Sequence, residues 1–234
     1  MNLPTTITLG RICLAPIVAW LSLVPEWEAR AAGFCLFVVA AVSDYIDGEL
    51  ARQRNEVTTV GKLLDPLADK LLLFCTLVPM YLLQGPASDP WPARSGLEDA
   101  RHLPFELGWS DPLSIPLPFI VPAVVIGREL LMTAFRQLAA RRGIVIEAIG
   151  PAKWKTGFQS VWVGAAYVWF SALTLARAEG WGPAVPWRAF ANFNGVVGTI
   201  SMIGAVLLTV WSLWLYARRY GAAVFGSSTG ALTR

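Results

Sequence analysis

Four aspartates, Asp44, Asp47, Asp65 and Asp69, stand inside stretches that otherwise read as membrane-crossing helices. They form one spaced pattern: Asp44-x-x-Asp47-Gly48-x-x-Ala51-Arg52, eight residues, then Gly61-x-x-x-Asp65-x-x-x-Asp69. An ionised carboxylate near the bilayer costs several kcal/mol unless something compensates it, so four together require a cation or a water-filled cavity. On helices, Asp44, Asp47 and Ala51 share one face at i, i+3 and i+7. Gly61, Asp65 and Asp69 do the same at i, i+4 and i+8. A short turn between the two helices would aim both faces into one cleft. With no lysine or arginine expected between them, the four carboxylates would repel, and some would hold protons. Divalent cations remove that cost. An all-oxygen set suits Mg²⁺ or Mn²⁺ rather than zinc. Two such ions a few ångströms apart clamp the attacking and leaving oxygens of a phosphoryl transfer. Gly48 and Ala51 would let a flat or bulky ligand approach the backbone, and Arg52 offers a positive fork suited to a diphosphate.

Two other readings compete for the same residues. The aspartates could pair with Arg52, Lys62 or Lys70 and merely join helices, although carboxylates beside small residues make poor glue. They could also mark a cation pathway. Against transport, all four lie toward one end of their spans, and the other halves carry no ladder of acidic residues.

The elements that must hold this cluster follow from composition. The chain has 234 residues, 55% of them hydrophobic and only 15% charged, so the bilayer is its natural solvent. A mean hydropathy of +0.52 points the same way. Apolar runs predict an all-α integral membrane protein with six transmembrane helices around a cytoplasm-facing polar cavity, at about 5–24, 31–52, 61–84, 114–140, 154–176 and 194–217. One membrane domain is expected over 1–220, interrupted by an extracytoplasmic loop at 85–115 with a structural role. The loop carries five prolines from Pro86 to Pro112 and the interfacial anchors Trp91 and Trp109. A flexible tail is expected at 221–234.

Arg11 within the first run, with no cleavage site after it, marks a retained helix rather than a signal peptide. Cys13, Cys35 and Cys75 lack metal or disulfide spacing and read as small packing residues; His102 receives no role. Lysine and arginine crowd one side, at Arg52, Arg54, Lys62, Arg141, Arg142, Lys153, Lys155, Arg218 and Arg219. The positive-inside rule then puts both termini and the carboxylates at the cytoplasmic face of a cell (inner or plasma) membrane. Membrane lipids are the surroundings, and no nucleic-acid partner is expected.

The spaced motif resembles in full that of the CDP-alcohol phosphotransferases, six-helix membrane enzymes with a divalent-metal site. The resemblance implies transfer of a phosphatidyl or similar group from a CDP-linked donor to an alcohol, with release of CMP. It implies that Asp44, Asp47, Asp65 and Asp69 surround the metal ions, and that Asp69 is the general base. Gly48 and Ala51, with Gly61 of the same motif, would line the CDP-lipid pocket, and Arg52 would contact the donor phosphates. A homodimer is among its implications.

Other segments are similar to the branch that makes phosphatidylglycerophosphate. They are Asn2-Leu3-Pro4 with Thr8-x-x-Arg11, Leu64 to Lys70, Gly127 to Arg136, and Gly150 to Thr156. The likeness covers roughly residues 2–175; Gln137 departs from it, standing where an acidic residue is expected. CDP-diacylglycerol and glycerol 3-phosphate are then the implied substrates. Charge supports that choice. Arg128 and Arg136, eight residues apart, share a helical face, and Lys153 and Lys155 open the next span on the same side, a set suited to a phosphomonoester. For Arg141 and Arg142 a topological role is expected instead. Inositol phosphate would satisfy the same electrostatics.

Overall fold

The computed structural model describes residues 3–54, 59–84, 104–108, 113–146, 150–181 and 185–225. Within these, side chains are described for 6–43, 64–84, 104–108, 113, 115–146, 150, 154–181 and 185–224. The described residues fold into α1 (Leu3–Leu23), α2 (Trp27–Arg54), α3 (Thr59–Leu83), α4 (Ile120–Arg141), α5 (Gly150–Ala178) and α6 (Val185–Phe225). Between α3 and α4, β1 (Phe105–Leu107) pairs antiparallel with β2 (Leu113–Ile115), Phe105 opposite Ile115.

The helical architecture is as expected, but α6 starts at Val185 rather than near 194, and three further features differ. First, the loop between α3 and α4 contains this short hairpin, a small addition to an otherwise all-helical fold. Second, the fourth helix starts at Ile120 rather than near 114, because Pro116 and Pro118 lack amide donors and bias the residues before them toward extended backbone. Third, α6 runs to Phe225, and Val224 is buried beside Tyr216, so 221–225 are helix rather than tail. Residues 226–234, 85–103 (with Trp91 and His102) and Trp109 lie outside the described residues. Pro66 falls inside α3, beyond its first turn, so its missing N–H interrupts the ladder there.

Among the described residues, four helical stretches are long and apolar enough to cross a membrane: Thr6–Leu23, Leu64–Leu83, Trp154–Ala178 and Val185–Val224. α4 carries Arg128, Glu129 and Arg136 along its length, which lowers its hydropathy. With 41 residues at about 1.5 Å each, α6 overshoots a hydrocarbon layer of about 30 Å by roughly a factor of two.

α5 packs against α2, α3 and α6, and its Trp162, Tyr167, Trp169 and Phe170 are buried. Between apolar helices, close van der Waals packing supplies the attraction, and small residues permit it. Gly164, Ala165 and Ala166 serve that purpose on α5, and Gly204 makes room for Phe158. Large apolar side chains stay exposed around the outside, among them Trp20, Val39, Phe74, Leu131, Leu207 and Trp211. Such a belt is what lipid would cover. Cys13 and Cys35 are exposed free thiols, so they are not packing residues; Cys75 is half-buried.

One end of the bundle is closed by side chains bonded to backbone. The Gln84 carboxamide donates to the Leu117 carbonyl at 2.6 Å and accepts from the Leu117 amide at 2.7 Å. Buried Arg30 donates to the Val24 carbonyl and to Thr174, tying the α1–α2 turn to α5. The hairpin docks on α6, where a Cβ at Gly198 would overlap the fully buried Phe105 ring and one at Gly195 the Glu106 carbonyl. Asn192 brackets Gly108, accepting from its amide at 2.7 Å and donating to its carbonyl at 3.1 Å. α5 stops here in a Schellman turn: Gly180 takes a φ of 64° and the Trp181 amide reaches the Ala176 carbonyl at 2.8 Å.

Candidate active site

The opposite end gathers the charged side chains. On α1, Thr8 and Arg11 lie three residues apart on a face buried against α3. Thr8 Oγ1 donates to Asp65 Oδ1 at 2.7 Å, and Arg11 Nη2 donates to Asp69 Oδ1 at 2.7 Å. The i, i+3 spacing on α1 thus matches the i, i+4 spacing on α3, rung for rung. Arg11 overturns the expectation of a cleft without a basic residue. A guanidinium only 3% exposed needs an anion, and Asp69 supplies one among the described residues. Lys70, proposed as glue, instead donates to the Pro66 carbonyl of its own helix at 2.8 Å. Asp65 and Asp69 themselves are exposed, and Asp69 lines the cavity described below.

α2 runs unbroken through Asp44, Asp47, Gly48, Ala51 and Arg52, so the spacing argument applies to its backbone. Their side chains, and those of Gly61, Lys62 and Lys153, lie outside the described residues. Among the described residues, no group of three or more potential metal-ligating side chains occurs.

A second charged cluster joins α4, α5 and α6. Buried Arg128 donates to Glu129 Oε1 at 2.7 Å and to Ser212 Oγ at 2.9 Å. Buried Lys155 donates to the same Glu129 oxygen. Arg136 is exposed, with its guanidinium 5.8 Å from the Tyr216 ring centroid. Arg128 and Arg136 therefore do share a face, the one turned to α6, where Ser212 and Tyr216 are also one turn apart. Both arginines act electrostatically on Lys155. The three cations and Glu129 sum to two positive charges. Arg141 and Arg142 fall at the end of α4, where Gly143 (φ 73°) closes the helix.

A cavity of about 900 Å³ connects the clusters. Arg11, Asp69, Lys70, Glu129 and Lys155 line its charged part, Thr156, Gln159 and Ser160 its neutral polar part. Phe37, Ala41, Leu72, Leu73 and Val163 form an apolar wall. Such a space accepts a ligand with a charged end and a lipid end. Sequence reasoning gave no role to Glu129, although a glutamate beside Arg128 within an apolar helix was a readable signal. Gln159 and Ser212 carried none.

Comparison with known proteins fits this arrangement. The family model described as CDP-alcohol phosphatidyltransferase matches residues 1–211. The chain belongs to this family. It is 31% identical over 232 residues to CDP-diacylglycerol--glycerol-3-phosphate 3-phosphatidyltransferase 1, chloroplastic/mitochondrial, of Arabidopsis thaliana, covering 94% of this chain. It is 34% identical over 176 residues to the CDP-diacylglycerol--glycerol-3-phosphate 3-phosphatidyltransferase of Bacillus subtilis, covering 70% of this chain and 75% of that protein. A cardiolipin synthase (CMP-forming) of Oryza sativa subsp. japonica is 30% identical over 224 residues, with 94% of this chain covered. The chain spans 62% of the length of the Arabidopsis protein and 57% of the rice protein.

Proposed function

We propose that this protein transfers the phosphatidyl group of CDP-diacylglycerol to glycerol 3-phosphate, giving phosphatidylglycerophosphate and CMP. One observation carries the reading: a single amphipathic cavity joins the Asp69 carboxylate to the Lys155–Glu129 pair, which Arg128 of α4 also bonds. The names of two relatives agree with it.

Asp44, Asp47, Asp65 and Asp69 would hold two Mg²⁺ or Mn²⁺ ions. The fit rests on Asp65 and Asp69, which are exposed, one turn apart on α3 and offer only oxygen ligands, with Asp69 lining the cavity. Bound there, the ions would offset the negative charge that develops on the diphosphate. Gly48, Ala51 and Gly61 leave room for the cytidine and Arg52 meets the diphosphate, while the acyl chains stay in lipid beside the apolar wall. Arg128, Arg136, Lys153 and Lys155 hold the acceptor phosphate. Thr8 and Arg11 orient Asp65 and Asp69 through their Oδ1 atoms. Asp69 takes the proton from the acceptor 1-hydroxyl, whose oxygen attacks the β-phosphorus as the bond to CMP breaks. Glu129 is a positioning residue: it fixes Arg128 and Lys155 and keeps the cluster from carrying more charge than its ligand. Six crossings, with both termini and this cavity at the cytoplasmic face of a cell membrane, complete the proposal.

The test is CMP release from CDP-diacylglycerol by the purified protein with Mg²⁺ or Mn²⁺, across glycerol 3-phosphate, inositol phosphate, serine and phosphatidylglycerol. Glycerol 3-phosphate should be preferred. No CMP with any acceptor overturns the reading, and a preference for another acceptor moves the protein to a different branch of its family. Metal uptake into sealed vesicles without any CDP-lipid would favour transport instead.

A further inference from the structure

Gln159 stands out among the cavity-lining groups. Its Oε1 is buried and has no hydrogen-bond partner among the described residues, although the side chain lines the cavity. Nearby, Lys155 and Arg128 hold Glu129, and Thr76 donates to the Leu72 carbonyl. A buried acceptor without a donor is costly, and a ligand that brings the donor recovers the loss. An O–H or N–H of a bound molecule would supply the donor that Gln159 Oε1 lacks.

Its place on α5 narrows the choice. Gln159 follows Lys155 by four residues, so the two share a face about 6 Å apart along the axis. That is on the order of the length of a three-carbon polyol phosphate. We propose that Gln159 Oε1 accepts a hydrogen bond from the non-reacting hydroxyl of the acceptor, the one between the phosphate and the attacking oxygen. Gln159 is thereby a specificity residue that selects a vicinal hydroxyl. This rests on the acceptor reading above.

The experiment compares glycerol 3-phosphate with 3-hydroxypropyl phosphate, which lacks only the middle hydroxyl, in wild type and in Gln159→Met. Wild type should favour glycerol 3-phosphate in kcat/KM by roughly ten- to a hundred-fold, the range for one buried hydrogen bond. In Gln159→Met that preference should collapse toward unity, with the loss confined to glycerol 3-phosphate. The melting temperature of Gln159→Met in detergent should equal or exceed that of wild type, since an unpaired buried acceptor has been removed. A merely structural glutamine would instead lower the melting temperature and reduce both acceptors equally, and that result overturns the proposal. So does a wild type that treats the two acceptors alike. If neither acceptor yields CMP with wild type, the phosphatidyl-transfer reading itself has failed, and the Gln159 role falls with it.

Discussion

The two ends of the bundle solve the problem of polar groups in a membrane protein differently. At the hairpin end, side chains satisfy backbone: Gln84 on Leu117, Asn192 on Gly108, Arg30 on Val24. Each such pairing removes a reason for water to enter. At the charged end, side chains satisfy one another: Thr8 on Asp65, Arg11 on Asp69, Glu129 between Arg128 and Lys155. These groups have alternatives, because a ligand or ion can exchange with a side-chain partner more readily than with a helix carbonyl. The difference separates a closed end that sets the helix positions from an open end that can take up a substrate. Mutations should therefore divide cleanly, with charged-end changes reaching turnover and closed-end changes reaching stability.

The largest effect is expected at Asp69. Asparagine keeps an oxygen for Arg11, so the α1–α3 contact survives while the proton acceptor is lost. CMP release should fall by about 10²- to 10⁴-fold, with the melting temperature in detergent lowered only slightly. A variant that melts far lower yet turns over normally would make Asp69 a counter-ion for Arg11 and nothing more. Gly198→Val should do the reverse. Its side chain would overlap the buried Phe105 ring, and overpacking of this kind costs about 1–3 kcal/mol. Thermal unfolding should show that loss, while the folded fraction keeps its turnover.

Gln84→Leu comes next. It leaves both the amide and the carbonyl of Leu117 without their partner in a buried setting, for a loss of about 1–3 kcal/mol. The measurement is again unfolding in detergent, with acceptor preference unchanged. If acceptor preference shifts in Gln84→Leu, the two ends are coupled and the division drawn above is wrong.

How far the sequence foretold each end follows from the range of the interactions. The Asp65/Asp69 spacing is local, and a helical period carries it directly to a shared face. Thr8 and Arg11 were singled out from a resemblance, but only the fold revealed that they bond to those two aspartates. Arg128 was expected to be a ligand for phosphate. That it is also bound to Glu129 and Ser212 depends on how α4 meets α6, which no local pattern encodes. The hairpin was missed because its support is distant: Phe105 needs the bare backbone at Gly198, and neither residue announces the other. Pro116 and Pro118 did announce the late start of α4, but an averaged hydropathy blurs them into the apolar run that follows. The early start of α6 is masked in the same way by the polar Arg188, Asn192 and Asn194, of which the two asparagines bond backbone at Gly108 and Ala165.

The smallest expected effect tests whether the closed end is in fact dry. Glu106 sits on β1, half-buried beside α6. Burial pushes its carboxyl above the ordinary glutamate value of 4.5, with nearby Arg177 opposing the shift. A carboxyl whose pKa is raised on folding binds its proton more tightly in the folded state. Its stabilising contribution is complete below the ordinary value and is lost as pH rises through the raised one. Glu106→Gln removes that dependence. Melting curves at pH 4 and pH 7 should show the variant gaining on wild type at pH 7 and losing that advantage at pH 4. If wild type is instead the more stable at pH 7, the Arg177 attraction outweighs burial, water reaches β1, and the hairpin is a wet contact rather than a seal.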